Sequence, residues 1–435
     1  MRELLRQKIV DSLAAMPPEM TLRDVRVPAV RGKAVAVIGP RRAGKTTFLW
    51  QVVAQRLAGK TPREQLLYFN FEDERLAGLT AEQLHWIVEE YYRLQPGLRD
   101  QQRVVFLLDE IQSVSGWEKF ARRVQDSERV ELYLSGSSAR LLSREVATSM
   151  RGRAMEALVL PFSFREFLRH RGVEPVGGTS RLGKARRSEL DAQLRRYLSE
   201  GGFPEAQGIE RRDRFELLRG YIDTAMLRDV IERHGVTHPV ALRWLVRQLL
   251  GNAGGLFSIH RFYGDLRAQG IPVAKDTLHQ YLSFLEDAFM VHTIPIAAGS
   301  ERRRRVNPRK SYPIDTGLIA VFDRTGRSNL GHALETTVAL ELERRGAETA
   351  YVRTADDLEV DFLVHLPGGE QQLIQVSAEL DSAETVARET RALLAAAEEH
   401  PQATLHVITL TSDPIPSLPA QVAHHSAATW LLEPP

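Results

Sequence analysis

The chain has 435 residues, 43% of them apolar and 26% charged, with a formal charge of +2, which is the mixture of a folded globular protein rather than a disordered or fibrous one. That length exceeds what a single hydrophobic core serves, so roughly two to four domains are expected, and any attraction to nucleic acid must come from local clusters of charge. The absence of cysteine excludes disulfides, thiolate metal sites and thiol nucleophiles, and no segment approaches the roughly 18 consecutive apolar residues of a membrane span; a cytoplasmic protein is the expectation.

Residues 1–32 begin with charged and apolar residues alternating at helical spacing, without the apolar stretch of a secretory signal. From Lys33 the run KAVAVIGP predicts a buried strand feeding a loop, and a helical pattern follows from Lys45 to Leu57. The further runs QLLYFNFED (65–73), VVFLLDE (104–110), ELYLSGSS (131–138) and AMEALVLPFSF alternate with helix-length segments. Residues 33–165 are therefore expected to form a parallel sheet covered on both faces. Residues 166–236 read as helical throughout, a lid. Residues 237–300 give three helices (ALRWLVRQLLGN, SIHRFYGDLRAQG, AKDTLHQYLSFLEDAFM) and the strand VHTIPI, which predict a winged helix. Residues 301–435 open with the basic run ERRRRVNPRK. A helix around GHALETTVALELERRG, the strands AYVRT, EVDFLVHL and QQLIQVS, a helix over 382–399 and the strand LHVITL follow, giving a second α/β domain.

The segment Gly39-Pro40-Arg41-Arg42-Ala43-Gly44-Lys45-Thr46, with Thr47 after it, spells a P-loop where the mechanism needs one, after a strand and at a helix start. There the backbone N–H groups and the positive helix end converge on phosphates. Gly39 and Gly44 let the backbone wrap an anion, Lys45 reaches the β and γ oxygens, and the Thr46 hydroxyl coordinates Mg²⁺. Asp109 ends a buried strand as the magnesium carboxylate, direct or through water, and Glu110 is placed to polarise a water against the γ-phosphate. ATP with Mg²⁺ is the expected ligand pair, and hydrolysis the expected reaction.

The segments GPRRAGKTT, NFED, LLDEIQSVSGWEKFARRVQD, LSGSSARLL, RGRAMEALVLPFSFREFL, YLSEGGFPEA and KSYPIDTGL together resemble the AAA-type ATPases of bacteria and archaea whose carboxyl half is a domain of unknown function. The resemblance spans nearly the whole chain and implies an ATPase core, a winged helix and a terminal domain similar to restriction-endonuclease-like folds. It nominates Ser137, with Ser138 as the competing choice, as the polar group near the attacking water, against a helix cap as the plain alternative. It nominates Arg151 or Arg153 as an arginine finger from the same or a neighbouring subunit. Glu72 becomes a carboxylate that modulates the water-activating glutamate, and Gly202-Phe203-Pro204 an element by which the lid senses nucleotide, against an ordinary turn.

In the terminal domain, Glu335 on a helix, Glu359 and Asp361 opening a strand, and the strand 371–377 follow the layout of a metal-dependent nuclease, which needs two carboxylates for Mg²⁺ and a lysine for the water. Asp361 qualifies as a ligand. The acid and lysine of the next strand are replaced by Gln375 and Ser377, so the fold is expected to be kept and the chemistry lost. Duplex DNA is a candidate partner through the first turn of the third winged-helix helix (Lys275, Thr277, His279) and the six basic residues of 302–310, preceded by a single acid, Glu301. The function expected is an ATP-driven switch that presents the winged helix and terminal domain to a partner. A DNA-processing nuclease and a non-hydrolysing regulatory scaffold are the alternatives.

Overall fold

In the first unit of the chain, Met1–Leu160, the apolar runs become five strands: β1 (Ala34–Ile38), β2 (Leu66–Asn70), β3 (Val104–Asp109), β4 (Val130–Ser135) and β5 (Ala154–Leu158). They pair in the order β2-β3-β4-β1-β5, every neighbour parallel. β1 and β3 are buried over their full lengths, the reason they read as unbroken apolar runs. Among the described residues four helices accompany them, α1 (Arg2–Ala14), α2 (Lys45–Ala58), α3 (His85–Leu94) and α4 (Trp117–Ser127). Phe48, Leu49 and Val52 of α2 pack on Val35, Val37, Val105 and Leu107 of the sheet. This is the P-loop NTPase core expected from the sequence, with the loop 39–44 at the carboxyl end of β1. The structure is a computed structural model and describes residues 1–136, 152–178, 183–323, 329–378, 380, 382–415 and 417–433.

The segment 1–32 belongs to this unit. The Ser12 hydroxyl donates to the Tyr68 carbonyl, Lys8 pairs with Asp73 at 2.6 Å, and Arg63 donates to the Ala15 carbonyl at 3.0 Å.

The second unit, Pro161–Pro435, holds all that the sequence divides into lid, winged helix and terminal domain. Helices Phe164–His170, Lys184–Glu200 and Arg211–Ala225 come first, the last continuing as a π-helix over Met226–Glu232. Helices Pro239–Leu250, Ile259–Ala268 and Lys275–Asp287 follow, with strands β6 (Leu256–Phe257), β7 (Val291–Ile294) and β8 (Arg309–Pro313) in an antiparallel sheet ordered β6-β8-β7. The basic run is a short helix, Glu301–Val306, followed by the start of β8. Finally β9 (Glu348–Arg353), β10 (Glu359–His365), β11 (Gln371–Ser377), β12 (Ala403–Thr409) and β13 (Val422–Ser426) form a mixed sheet ordered β13-β12-β11-β10-β9. Its strands send Phe362, Val364, Ile374 and Ile408 into a core with Leu334 and Val338 of helix Leu330–Arg344. Leu363, Leu373, Leu405 and Val407 go into another core with Val386 and Leu393 of helix Ala383–Glu399. Alternation along each strand thus covers both faces of the terminal α/β sheet.

One buried acid ties two turns of this unit together. Asp315 accepts from the Gly202 N–H at 2.6 Å and the Gly317 N–H at 2.9 Å. Gly201 stands at φ +79°, and a Cβ there would lie 1.9 Å from the Asp315 carboxylate, so this turn requires glycine. Burial raises the Asp315 carboxyl to about 6, the two N–H donors opposing it. The folded chain therefore holds this proton better than the unfolded one, and that stabilisation is full below the ordinary 3.8 and lost as pH rises through 6. In urea titrations of wild type and Asp315→Asn, the stability difference, wild type minus variant, should fall by about 3 kcal/mol between pH 4 and pH 7, at about 1.4 kcal/mol per pH unit. A constant difference would contradict the raised value.

Candidate active site at the phosphate loop

Parallel strands end at one edge, so the loops after β1, β3 and β4 meet there. Gly39 has φ +148°, and a Cβ on it would lie 1.9 Å from the Val159 carbonyl, so its missing side chain makes room first for the backbone that follows β5. Gly44, at φ +96°, is the left-handed residue at the start of α2. Arg42 also takes a positive φ, 64°, bending the loop between the glycines. Pro40 and Ala43 are buried, whereas Arg42, Thr46 and Thr47 are exposed and Arg41 is half-buried.

Lys45 is 6% exposed, and its Nζ donates to the carbonyls of Gly39 and Pro40 at 3.0 Å each, which holds the ammonium over the loop. Thr46 Oγ1 donates to Asp109 Oδ2 at 2.8 Å. The sequence pattern predicts these two as the magnesium pair, and the fold brings their oxygens into contact. Among the described residues no group of three or more His, Cys, Asp or Glu side chains is placed to hold a metal ion by itself. A hard ion at Thr46 and Asp109 would take its remaining oxygens from phosphate and water, as Mg²⁺ does.

Asp109 is 0% exposed, and two donors not foreseen from the sequence complete its surroundings. The Tyr68 hydroxyl donates to Asp109 Oδ2 at 2.8 Å, and the Ser135 hydroxyl donates to Asp109 Oδ1. Burial, with the Asp109 charge beside it, pushes the Tyr68 phenol up, so it remains a donor at neutral pH. Both follow from register. Asn70 pairs with Asp109, so Tyr68, two residues earlier, lies on the same face, and β4 lies between β1 and β3, so its terminal serine abuts the acid that ends β3. The detectable signal for Ser135 was its place as the last residue of the run ELYLS. Tyr68 had none without the register.

Glu110 stands at φ 55°, ψ 38°, with its N–H donating to Ser135 Oγ at 3.3 Å and its carboxylate accepting from Gln112. Burial pushes its carboxyl above the ordinary range, and the Lys45 ammonium pulls the other way; the charges of Asp109 and Glu72 add to the push. Glu72 is exposed, and its N–H donates to the Asn70 side chain at 2.7 Å. A third unforeseen residue supports the loop from the amino segment. The buried Arg23 donates to the carbonyls of Ala43, at 2.7 Å, and Leu160, and its backbone N–H donates to Gln51 at 2.7 Å.

Ser137, Ser138 and Arg151 lie outside the described residues. Arg153 pairs with Asp126 and sits beside Ala34 at the amino end of the parallel strands, whereas the loop follows Ile38 at their carboxyl end. The finger role within one chain is corrected on that ground. Gly202 is fixed by Asp315 and by Phe162, whose N–H donates to its carbonyl at 2.7 Å, and Pro204 opens the short helix Pro204–Ala206 that follows.

Residues 31–168 match the family described as AAA domain, and residues 191–329 match a domain of unknown function (DUF8612). The chain is 32% identical over 383 residues to the uncharacterized protein MJ1544 of Methanocaldococcus jannaschii, an alignment covering 87% of this chain and 82% of that one. It is 29% identical over 345 residues to an uncharacterized protein of Haemophilus influenzae, covering 79% and 82% respectively. Among solved structures it is similar to the Walker-type ATPase PABY2304 of Pyrococcus abyssi, at 16% identity and a TM-score of 0.42, over 74% of this chain and 95% of that one.

Tyr68→Phe deletes one donor to Asp109, and Ser135→Ala deletes another together with the acceptor of the Glu110 N–H; both leave Lys45 and Thr46 in place. Each is expected to lower nucleotide turnover by about ten- to a hundredfold and to raise the Mg²⁺ concentration giving half-maximal rate. Phosphate release measured against Mg²⁺ checks this; wild-type Mg²⁺ dependence in both variants would contradict the positioning role.

Proposed function

We infer that this chain, which belongs to the same family as the archaeal protein MJ1544 and carries an AAA domain at residues 31–168, binds ATP with Mg²⁺ and hydrolyses it to drive a conformational switch. The observation that carries this reading is the contact of Thr46 with an enclosed Asp109, beside Lys45 and Glu110. Thr46 and Asp109 would hold Mg²⁺, which when bound offsets charge between the β and γ phosphates. Lys45 would exchange its two carbonyl partners for phosphate oxygens of higher charge, and backbone N–H groups of the loop, to which Pro40 contributes none, would receive the same anion. Glu110 orients the attacking water and accepts its proton, and its raised affinity for a proton suits a general base better than an exposed glutamate would.

Duplex DNA is the partner this reading favours. The order helix, β6, helix, helix, β7, β8 supports a winged helix, and Lys275 and His279 are exposed on its third helix, with Thr277 half-buried. Arg302, Arg303 and Arg304 are exposed on the short helix between β7 and β8, where they can meet phosphates. Lys310 is withdrawn from that surface, because it is buried among carboxylates, and Arg309 is partly engaged by Glu286 at 3.5 Å. Arg153 fits a finger role only when supplied by a second copy of the chain.

An ATPase assay on wild type, Lys45→Ala and Glu110→Gln, with and without duplex DNA, tests the reading. Wild type should turn ATP over, and both variants should fall by at least about a hundredfold. Glu110→Gln should still bind ATP, and Lys45→Ala should not. Equal rates in wild type and Glu110→Gln would overturn the base assignment. DNA should accelerate wild type and lose that effect when Arg302, Arg303 and Arg304 become alanine; no response to DNA would remove the partner and leave the ATPase reading in place.

A further inference from the structure

The second unit contains a cluster of charge whose central member comes from a part of the sequence far from the rest. Lys310, on β8, is 2% exposed, and its Nζ lies 2.9 Å from Glu335, 2.9 Å from Glu359 and 2.7 Å from Asp361. The ammonium donates hydrogen bonds to Glu335 and Asp361 and pairs with Glu359 as a third carboxylate. The outer sides of two acids are also engaged. Glu335 accepts from the Tyr312 hydroxyl at 2.8 Å, and Asp361 Oδ2 accepts from the Val376 N–H at 2.9 Å. Gly254, at φ +71°, closes over Glu335, where a Cβ would stand 2.8 Å from Oε2. The pairing of β10 with β9 shifts register between Val360 and Leu363, the kind of irregularity that re-aims a side chain, and Asp361 lies within it.

These acids are the ones whose spacing resembles a divalent-metal site. Gln375, where that layout would place a further acid, is turned to other work: its carbonyl accepts from the Asp361 N–H at 3.3 Å and its amide donates to Glu389 at 2.8 Å. The point on which the carboxylate oxygens converge is taken by Lys310 Nζ. A divalent ion within reach of the same oxygens would lie a few ångströms from a fixed ammonium and be repelled by it. Nor is Lys310 free to leave. In the β6-β8-β7 sheet it is paired with Leu256 on one side and Ile294 on the other, so its backbone is held on both edges.

We propose that the Lys310 ammonium is the resident cation of this carboxylate cluster, and that replacing it with a neutral side chain creates a divalent-cation site that the wild-type chain lacks. The ammonium neutralises part of a buried negative charge and pins β8 to helix Leu330–Arg344 and to β10. Removing it leaves three acids without a counter-charge, and a divalent cation of the hard, oxygen-seeking class is the species that restores balance. The inference does not depend on the ATPase reading.

The test counts Mn²⁺ bound to the nucleotide-free full chain by electron paramagnetic resonance, with thermal unfolding alongside. Wild type and Asp361→Asn should bind the same number of ions. Lys310→Met should melt about 10 °C lower, gain one bound Mn²⁺ with partial recovery of the melting temperature, and lose both in Lys310→Met/Asp361→Asn. Sodium chloride of equal ionic strength should not substitute. Mn²⁺ bound by wild type and lost in Asp361→Asn overturns the proposal, as does a Lys310→Met protein with unchanged melting and no added ion. Should Lys310→Met not accumulate, wild type against Asp361→Asn decides alone: equal counts sustain the proposal and a loss overturns it.

Discussion

A fully enclosed carboxylate at the end of β3 organises the first unit. Asp109 has no exposure to water, and a carboxylate so enclosed requires donors, which hydroxyl groups supply from three elements: Thr46 on α2, Tyr68 on β2 and Ser135 on β4. That requirement couples the sheet order to the site. With β4 inserted between β1 and β3, the loop after β1, the acid of β3 and the serine of β4 share one edge, and Glu110 is carried there in a left-handed turn whose N–H is received by Ser135. The amino segment adds a brace from behind, since Arg23 holds the carbonyl of Ala43 inside the loop.

The second unit solves a similar electrostatic problem with the opposite sign at its centre. Glu335, Glu359 and Asp361 surround Lys310 instead of surrounding a metal, and Asp315 is held by two backbone N–H groups. Both arrangements join segments distant in sequence: Lys310 reaches an acid 51 residues away, and Asp315 reaches a glycine 113 residues away. Polar contacts of this kind specify which turns and strands come together, where apolar packing alone tolerates several arrangements.

What could be read in the residues follows the same division. The strands of the first sheet were legible, most plainly β1 and β3, which are buried throughout and read as continuous apolar runs; Lys45 and Thr46 stood out because they follow the loop directly, and Asp109 and Glu110 because they end a buried strand. Tyr68, Ser135 and Arg23 were not, since each acts across elements whose register is set only by folding. Lys310, at the centre of the carboxylate cluster, was not legible because the sequence groups it with the arginines of the run ERRRRVNPRK. β13 was missed because its residues VAHHS carry two histidines where an apolar run is sought, and those rings bond Thr409 and His406 of β12.

On the function proposed above, the enclosed Asp109, through Thr46, makes this site specific for a nucleotide carried with a divalent ion. Calorimetric titration of ATP into wild type and Asp109→Asn, each with and without Mg²⁺ and each verified as folded, tests it most directly. The account predicts that Mg²⁺ tightens ATP binding to wild type by at least about tenfold and that Asp109→Asn loses most of that gain. Equal tightening in both proteins, or ATP binding to wild type indifferent to Mg²⁺, would contradict it.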